Sequence, residues 1–160
     1  MPRSSGGERS SPARASRSPV NGSVNYRVIL YHKQATSART RFLMHAHGSV
    51  LAFEPLPELA QLGECGCAKT VNHPAAILRE LEARLQLPEG CLKVEHEYRH
   101  SVEVPGESVQ VMLAEITTLD PPFKQAESRQ ASFIDLTQAR GLPPVELELL
   151  RHAYELLLGG

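Results

Sequence analysis

A mixed α/β sandwich is what this sequence predicts, and three observations carry that expectation. Apolar, β-branched runs precede an amphipathic stretch with helical spacing. A stretch of strict alternation then meets a Pro-Gly turn and a second apolar run, and the chain closes on another segment of helical periodicity. The 160 residues, 41% of them hydrophobic and 22% charged, suffice for one domain with a buried core.

In chain order, Tyr26 to Lys33 (YRVILYHK) is rich in β-branched and aromatic residues and predicts a strand. Thr40 to His47 (TRFLMHAH) predicts a second strand ending in a turn at Gly48, and Ser49 to Phe53 a further short apolar run. Glu54 to Asn72 contains Pro55, Pro57, Gly63 and Gly66 and reads as a long irregular loop, of a length that usually serves function. Pro74 to Gln86 predicts a helix. Ile77, Leu78, Leu81 and Leu85 form its buried stripe, and Arg79, Glu80 and Glu82 lie toward the other faces. Val94, His96, Tyr98, His100 and Val102 alternate with polar residues, the period of a half-buried strand, and Pro105-Gly106 turns the chain into a partner strand over Val109 to Ile116. Phe123 to Gln130 reads as a polar loop and Ser132 to Leu136 as a short strand. Pro144 to Leu158 reads as a helix with Leu147, Leu150, Tyr154 and Leu157 on one stripe.

Charge narrows the function. The formal net charge is −1, but residues 1–23 carry Arg3, Arg9, Arg14 and Arg17 against Glu8 alone, leaving an acidic body. That body does not suit a nucleic-acid partner, which needs clustered Lys and Arg. The Ser-, Arg-, Gly- and Pro-rich tail, residues 1–23, is too poor in large apolar side chains to offset its ordering entropy, so disorder is expected there, with the folded domain over 24–160. The tail lacks the apolar core of a secretory leader, and no run approaches a membrane span. Three cysteines, an odd number, fit a reducing, cytoplasmic setting.

Several constellations invite chemistry. Cys65, Cys67, His73 and Cys91 could be read as zinc ligands, but Cys-x-Cys is not the usual knuckle spacing, and reduced thiols are the simpler reading. On a strand His45 and His47 would share one face, a spacing compatible with a metal yet without carboxylate support. Glu95 and Glu97 would share one strand face while His96 and His100 share the other, so the four do not converge. GECGC is neither a P-loop nor a dinucleotide loop.

The element order, and the fragments RFLMHAHG, AAILRELEARLQLPEG and SFIDLTQARGLPPVELELLRHAYELL, resemble the Nudix hydrolase superfamily over most of residues 26–158. The resemblance implies an α/β/α sandwich with a mixed sheet, and diphosphate hydrolysis assisted by divalent cations. The family signature is G-x5-E-x7-R-E-U-x-E-E-x-G-U, with U aliphatic. Arg79, Glu80, Leu81 and Leu87 match it. Ala83, Arg84 and Gln86 stand where Glu, Glu and Gly are expected, and Val71 and Cys65 fall on the upstream Glu and Gly. Magnesium wants hard oxygen ligands, which neither Ala83 nor Arg84 supplies. At ~4 Å and an effective dielectric near 20, Arg84 would repel a unit positive charge by about 4 kcal/mol and a divalent ion by roughly twice that.

The leading expectation is therefore a Nudix-like domain with weak or absent hydrolysis that binds a nucleotide or other phosphorylated metabolite, or a protein partner. Its groove would lie between the Glu54–Asn72 loop, the signature helix and the Phe123–Gln130 loop, with Arg79, Arg84 and Lys69 meeting phosphate. The alternative is a magnesium-dependent pyrophosphohydrolase acting on nucleoside diphosphate-linked substrates. It would recruit Glu80, Glu82 and Glu127 as catalytic carboxylates, with Glu80 as metal ligand and Glu127 about where some family members keep an extra carboxylate. A third possibility is a structural subunit or homodimer that uses the fold as an interface.

Overall fold

The computed structural model describes residues 26–52, 54–57, 60–63 and 74–159. Among these residues an open mixed sheet of eight strands carries three α-helices. The strands are β1 (Tyr26–Gln34), β2 (Arg39–Met44), β3 (Leu51–Ala52), β4 (Gln61–Leu62), β5 (Leu92–Val94), β6 (His100–Val104), β7 (Glu107–Ile116) and β8 (Ser132–Ile134). The helices are α1 (Pro74–Leu85), α2 (Phe123–Ser128) and α3 (Pro144–Gly159). The sheet order is β4-β6-β7-β1-β2-β8, with β3 also on β1 and β5 also on β7. The tail and Lys69, Cys65, Cys67 and His73 lie outside the described residues.

At the centre β1 pairs in parallel with β7, from Tyr26 opposite Gln110 to Tyr31 opposite Glu115. Strand alternation sorts the β1 side chains into two cores. Val28 and Leu30 join Leu43, Met112 and Ala114 beneath Ile77, Leu78 and Leu81 of α1 and Ala126 of α2. Ile29 and Tyr31 join Phe42, Val111 and Leu113 beneath Leu149, Leu150 and Ala153 of α3. The near-continuous apolar character of β1 follows from this double cover, since both of its faces are buried.

Several local expectations are corrected. The alternating stretch around Glu95 to Arg99 is not one strand. Val94 pairs with Ala114 and His100 with Val111, so six steps along one side span three on the other, and the surplus loops out. A turn closes there, with the Tyr98 N–H donating to the Glu95 carbonyl at 3.2 Å. Tyr98 and His100 face inward as the alternation expects, but His96 is exposed in the turn. His100 lies between Tyr98, tilted 60° to it, and His152 of α3, stacked at 23°, each ring centroid 4.6 Å away. Strand β2 stops at Met44, so His45 and His47 sit in a turn closed by the His45 N–H on the Ser49 carbonyl at 2.9 Å.

The segment expected as a polar loop holds helix α2, anchored through buried Ala126. Strand β8 ends at Ile134 because Asp135 leaves the ladder to cap a 3-10 turn (Leu136–Ala139). Its carboxylate accepts the Gln138 N–H at 3.1 Å, while the Gln138 side chain accepts the Asp135 N–H at 2.9 Å. In α3 the buried stripe is Glu146, Leu149, Leu150 and Ala153, with Leu147, Tyr154 and Leu157 half-buried beside it. Glu146 is tolerated inside because the Val50 N–H donates to it at 3.3 Å and the Ser49 hydroxyl also bonds it. Burial still raises its pKa.

The Tyr98 hydroxyl donates to the Leu149 carbonyl at 2.8 Å and ties the looped-out turn to α3. Tyr98→Phe removes this bond while keeping the ring, and is expected to lower unfolding stability by about 1 kcal/mol. Urea denaturation checks this; unchanged stability would mean the bond contributes nothing net.

Candidate functional site

Helix α1 carries the residues singled out by its signature-like sequence, and the structure separates them sharply. Arg79 is exposed and reaches Glu89 at 3.9 Å, a solvent-screened contact of little energetic weight. Arg84 pairs with Glu80 at 2.9 Å one turn apart, each side chain about half exposed, an arrangement worth roughly 0.3–0.5 kcal/mol. Glu127 is exposed on α2.

Glu82 departs from the expectation that it faces outward: it is 4% exposed. One carboxylate oxygen accepts the Gly90 N–H at 2.9 Å, and the other accepts the Leu92 N–H at 3.0 Å. Glu82 thereby staples the end of α1 to the start of β5. A buried carboxylate with both oxygens committed to backbone amides is poorly placed to serve a cation or a water as well. Among the described residues no group of three His, Cys, Asp or Glu side chains is arranged to hold a metal ion. Cys91, 7% exposed, has its thiol pushed up to about 11, chiefly by burial and then by the charge of Glu82, so it is a protonated core residue rather than a nucleophile.

The last turn of α1 explains a further position. Gln86 has φ 57, the left-handed conformation that favours glycine. The Leu87 N–H donates to the Glu82 carbonyl at 2.9 Å and the Gln86 N–H to the Ala83 carbonyl at 3.3 Å, the two bonds of a Schellman motif. Helix α2 ends the same way: Gln130 has φ 58, the Ala131 N–H donates to the Ala126 carbonyl at 2.8 Å, and the Gln130 N–H to the Glu127 carbonyl at 3.0 Å.

Between these two helix ends and the His45–Ser49 turn lies a cleft of about 200 Å³. Arg84, Leu81 and Leu85 form one wall, Arg129 and Ala131 the second, and His45, Ala46, His47 and Ala52 the third. Arg129 is exposed and has no ion pair among the described residues. None of the described lining residues is acidic. The charged side chains on the described lining are both guanidiniums, one tempered by Glu80 and the other, Arg129, without a carboxylate partner among the described residues, so the donors that the cleft offers suit an anion rather than a cation. Sequence reasoning named Arg84 and the two histidines but not Arg129, whose signal, a lone Arg following a short polar segment, is indistinguishable from ordinary surface. Of the expected site residues, the structure brings Arg84 to the cleft with Glu80 at its side. Glu82 and Arg79 do not line it, nor does Glu127.

No protein-family model matches the chain, and no curated protein shows significant similarity to it. No helix among the described residues is long and apolar enough to cross a membrane.

Two substitutions test this account of α1. Glu82→Ala leaves the buried Leu92 N–H unpaired and removes the partly buried bond from Gly90, and is expected to cost about 1–3 kcal/mol, read as a lower denaturation midpoint. Gln86→Gly relieves the left-handed strain and is expected to stabilise by about 0.5–1 kcal/mol, a gain of roughly 2–4 °C in Tm. A loss of stability would show that the Gln86 side chain contributes more than its backbone strain costs.

Proposed function

We propose that this chain is a Nudix-like domain that binds a nucleotide or another phosphorylated metabolite without metal-dependent hydrolysis. The observation that carries this reading is the Arg84 guanidinium, held at 2.9 Å by Glu80 on the wall of a cleft with no acidic residue among its described lining. An arginine at that wall recognises phosphate oxygens as a fixed, forked donor, taking over the charge neutralisation that a cation would otherwise supply.

Two features of the fold favour the family resemblance. The signature keeps glycine where Gln86 stands, and the backbone there has the positive φ that glycine adopts without strain. The helix also packs on one face of a mixed sheet with a second helix on the other face, the layering the resemblance implies. A cytoplasmic setting accords with this reading, since phosphorylated metabolites are abundant there.

Calorimetric titration with inorganic diphosphate in excess chelator tests the proposal. Saturable binding is expected, weakened about tenfold to a hundredfold by Arg84→Gln, as loss of a charge-assisted bond of about 1.5–3 kcal/mol requires. Titration with magnesium or manganese alone is expected to give no saturable heat. Magnesium-dependent turnover of nucleoside diphosphate derivatives, abolished by Glu80→Gln, would overturn the reading in favour of a hydrolase.

A further inference from the structure

The third wall of the cleft carries chemistry that phosphate binding by arginine does not use. His45 and His47 stand on one tight turn with ring centroids 5.4 Å apart, tilted 32° to each other. Nε2 of His45 is buried and has no hydrogen-bond partner. From α1 this turn faces Arg84, and from the segment after α2 it faces Arg129; the other lining residues, Ala46, Ala52, Leu81, Leu85 and Ala131, are apolar. Burial first, and the neighbouring His47 second, push the His45 pKa down to about 4. An imidazolium in a cleft that also holds the guanidiniums of Arg84 and Arg129 is electrostatically unfavourable until a negative charge enters.

We propose that the cleft is a proton-coupled anion site: a dianionic group, such as the terminal phosphoryl of a phosphorylated metabolite, binds between Arg84 and Arg129 together with one proton taken up by the His45–His47 pair. The proposal rests on the phosphate-binding reading and adds its regulation. The proton comes from solvent and lands on an imidazole nitrogen lone pair; no bond of the ligand breaks, and the complex gains one positive and two negative charges. The dianion offsets the repulsion among the cationic groups, so the histidine pair titrates higher in the complex than in the empty cleft. Linkage then sets the sign: affinity rises as pH falls through the interval between the two titrations.

Sulfate is the informative probe because it remains dianionic while imidazole titrates, over about pH 5 to 8. Its Kd is expected to tighten as pH falls from about 7 to 5, approaching tenfold per pH unit for one linked proton. Calorimetry of the unmodified protein in two buffers of different ionisation enthalpy is expected to report net proton uptake. His45→Gln and His47→Gln, each checked for native circular dichroism, are expected to flatten the pH dependence. A sulfate affinity that is flat with pH, with no proton uptake, overturns this inference while leaving the phosphate-binding reading intact if diphosphate still binds. A pH dependence equal in wild type and both variants overturns the assignment to the histidine pair. Absence of binding by sulfate and diphosphate at every pH removes the reading and the inference together.

Discussion

The parallel pairing of β1 with β7 is the constraint on which the rest of the structure depends. It places a strand with apolar side chains on both faces at the centre of the sheet, and such a strand is stable only if both faces are covered. Helix α1 and helix α3 supply that cover from opposite sides. Once α1 is fixed over Val28 and Leu30, its C-terminal turn must emerge beside the end of β2, and the chain leaving α2 completes the third side. The cleft is thus a consequence of how the two cores are closed.

Charge on α1 is disposed by burial rather than by sequence neighbourhood. Glu80 and Glu82 are two residues apart, yet one is half in water beside Arg84 and the other is sealed against the Gly90 and Leu92 amides. The sealed carboxylate organises the backbone; the exposed one tempers a guanidinium. With its acids engaged in these ways, the helix turns a guanidinium rather than a carboxylate toward the cleft, and a guanidinium is no ligand for a cation.

Much of the layered fold was legible because the strongest signals, the β1 run and the helical stripes of α1 and α3, reflect burial directly. What was not legible depended on polar side chains that bond the backbone. Glu82 reads as a surface charge until the loop that it accepts from is folded beside it, and Asp135 reads as a strand residue until Gln138 reciprocates its cap. The three extra residues opposite β7 leave His96 exposed and carry the chain from the core under α1 at Val94 to the core under α3 at Tyr98, so a period of two in the sequence concealed a turn. Arg84 was identifiable from sequence because its position could be counted along a motif. Arg129 belongs to no motif, and only the path of the chain after α2 brings it to the same cleft.

The staple made by Glu82 has a mechanical corollary. With the end of α1 clamped to the start of β5 and the turn before it, the wall that bears Arg84 cannot swivel without breaking two amide bonds, one of them buried. If the cleft takes the proposed anion, any adjustment to its shape falls to the opposite side, where Arg129 rides on an exposed turn held by backbone bonds to Ala126 and Glu127.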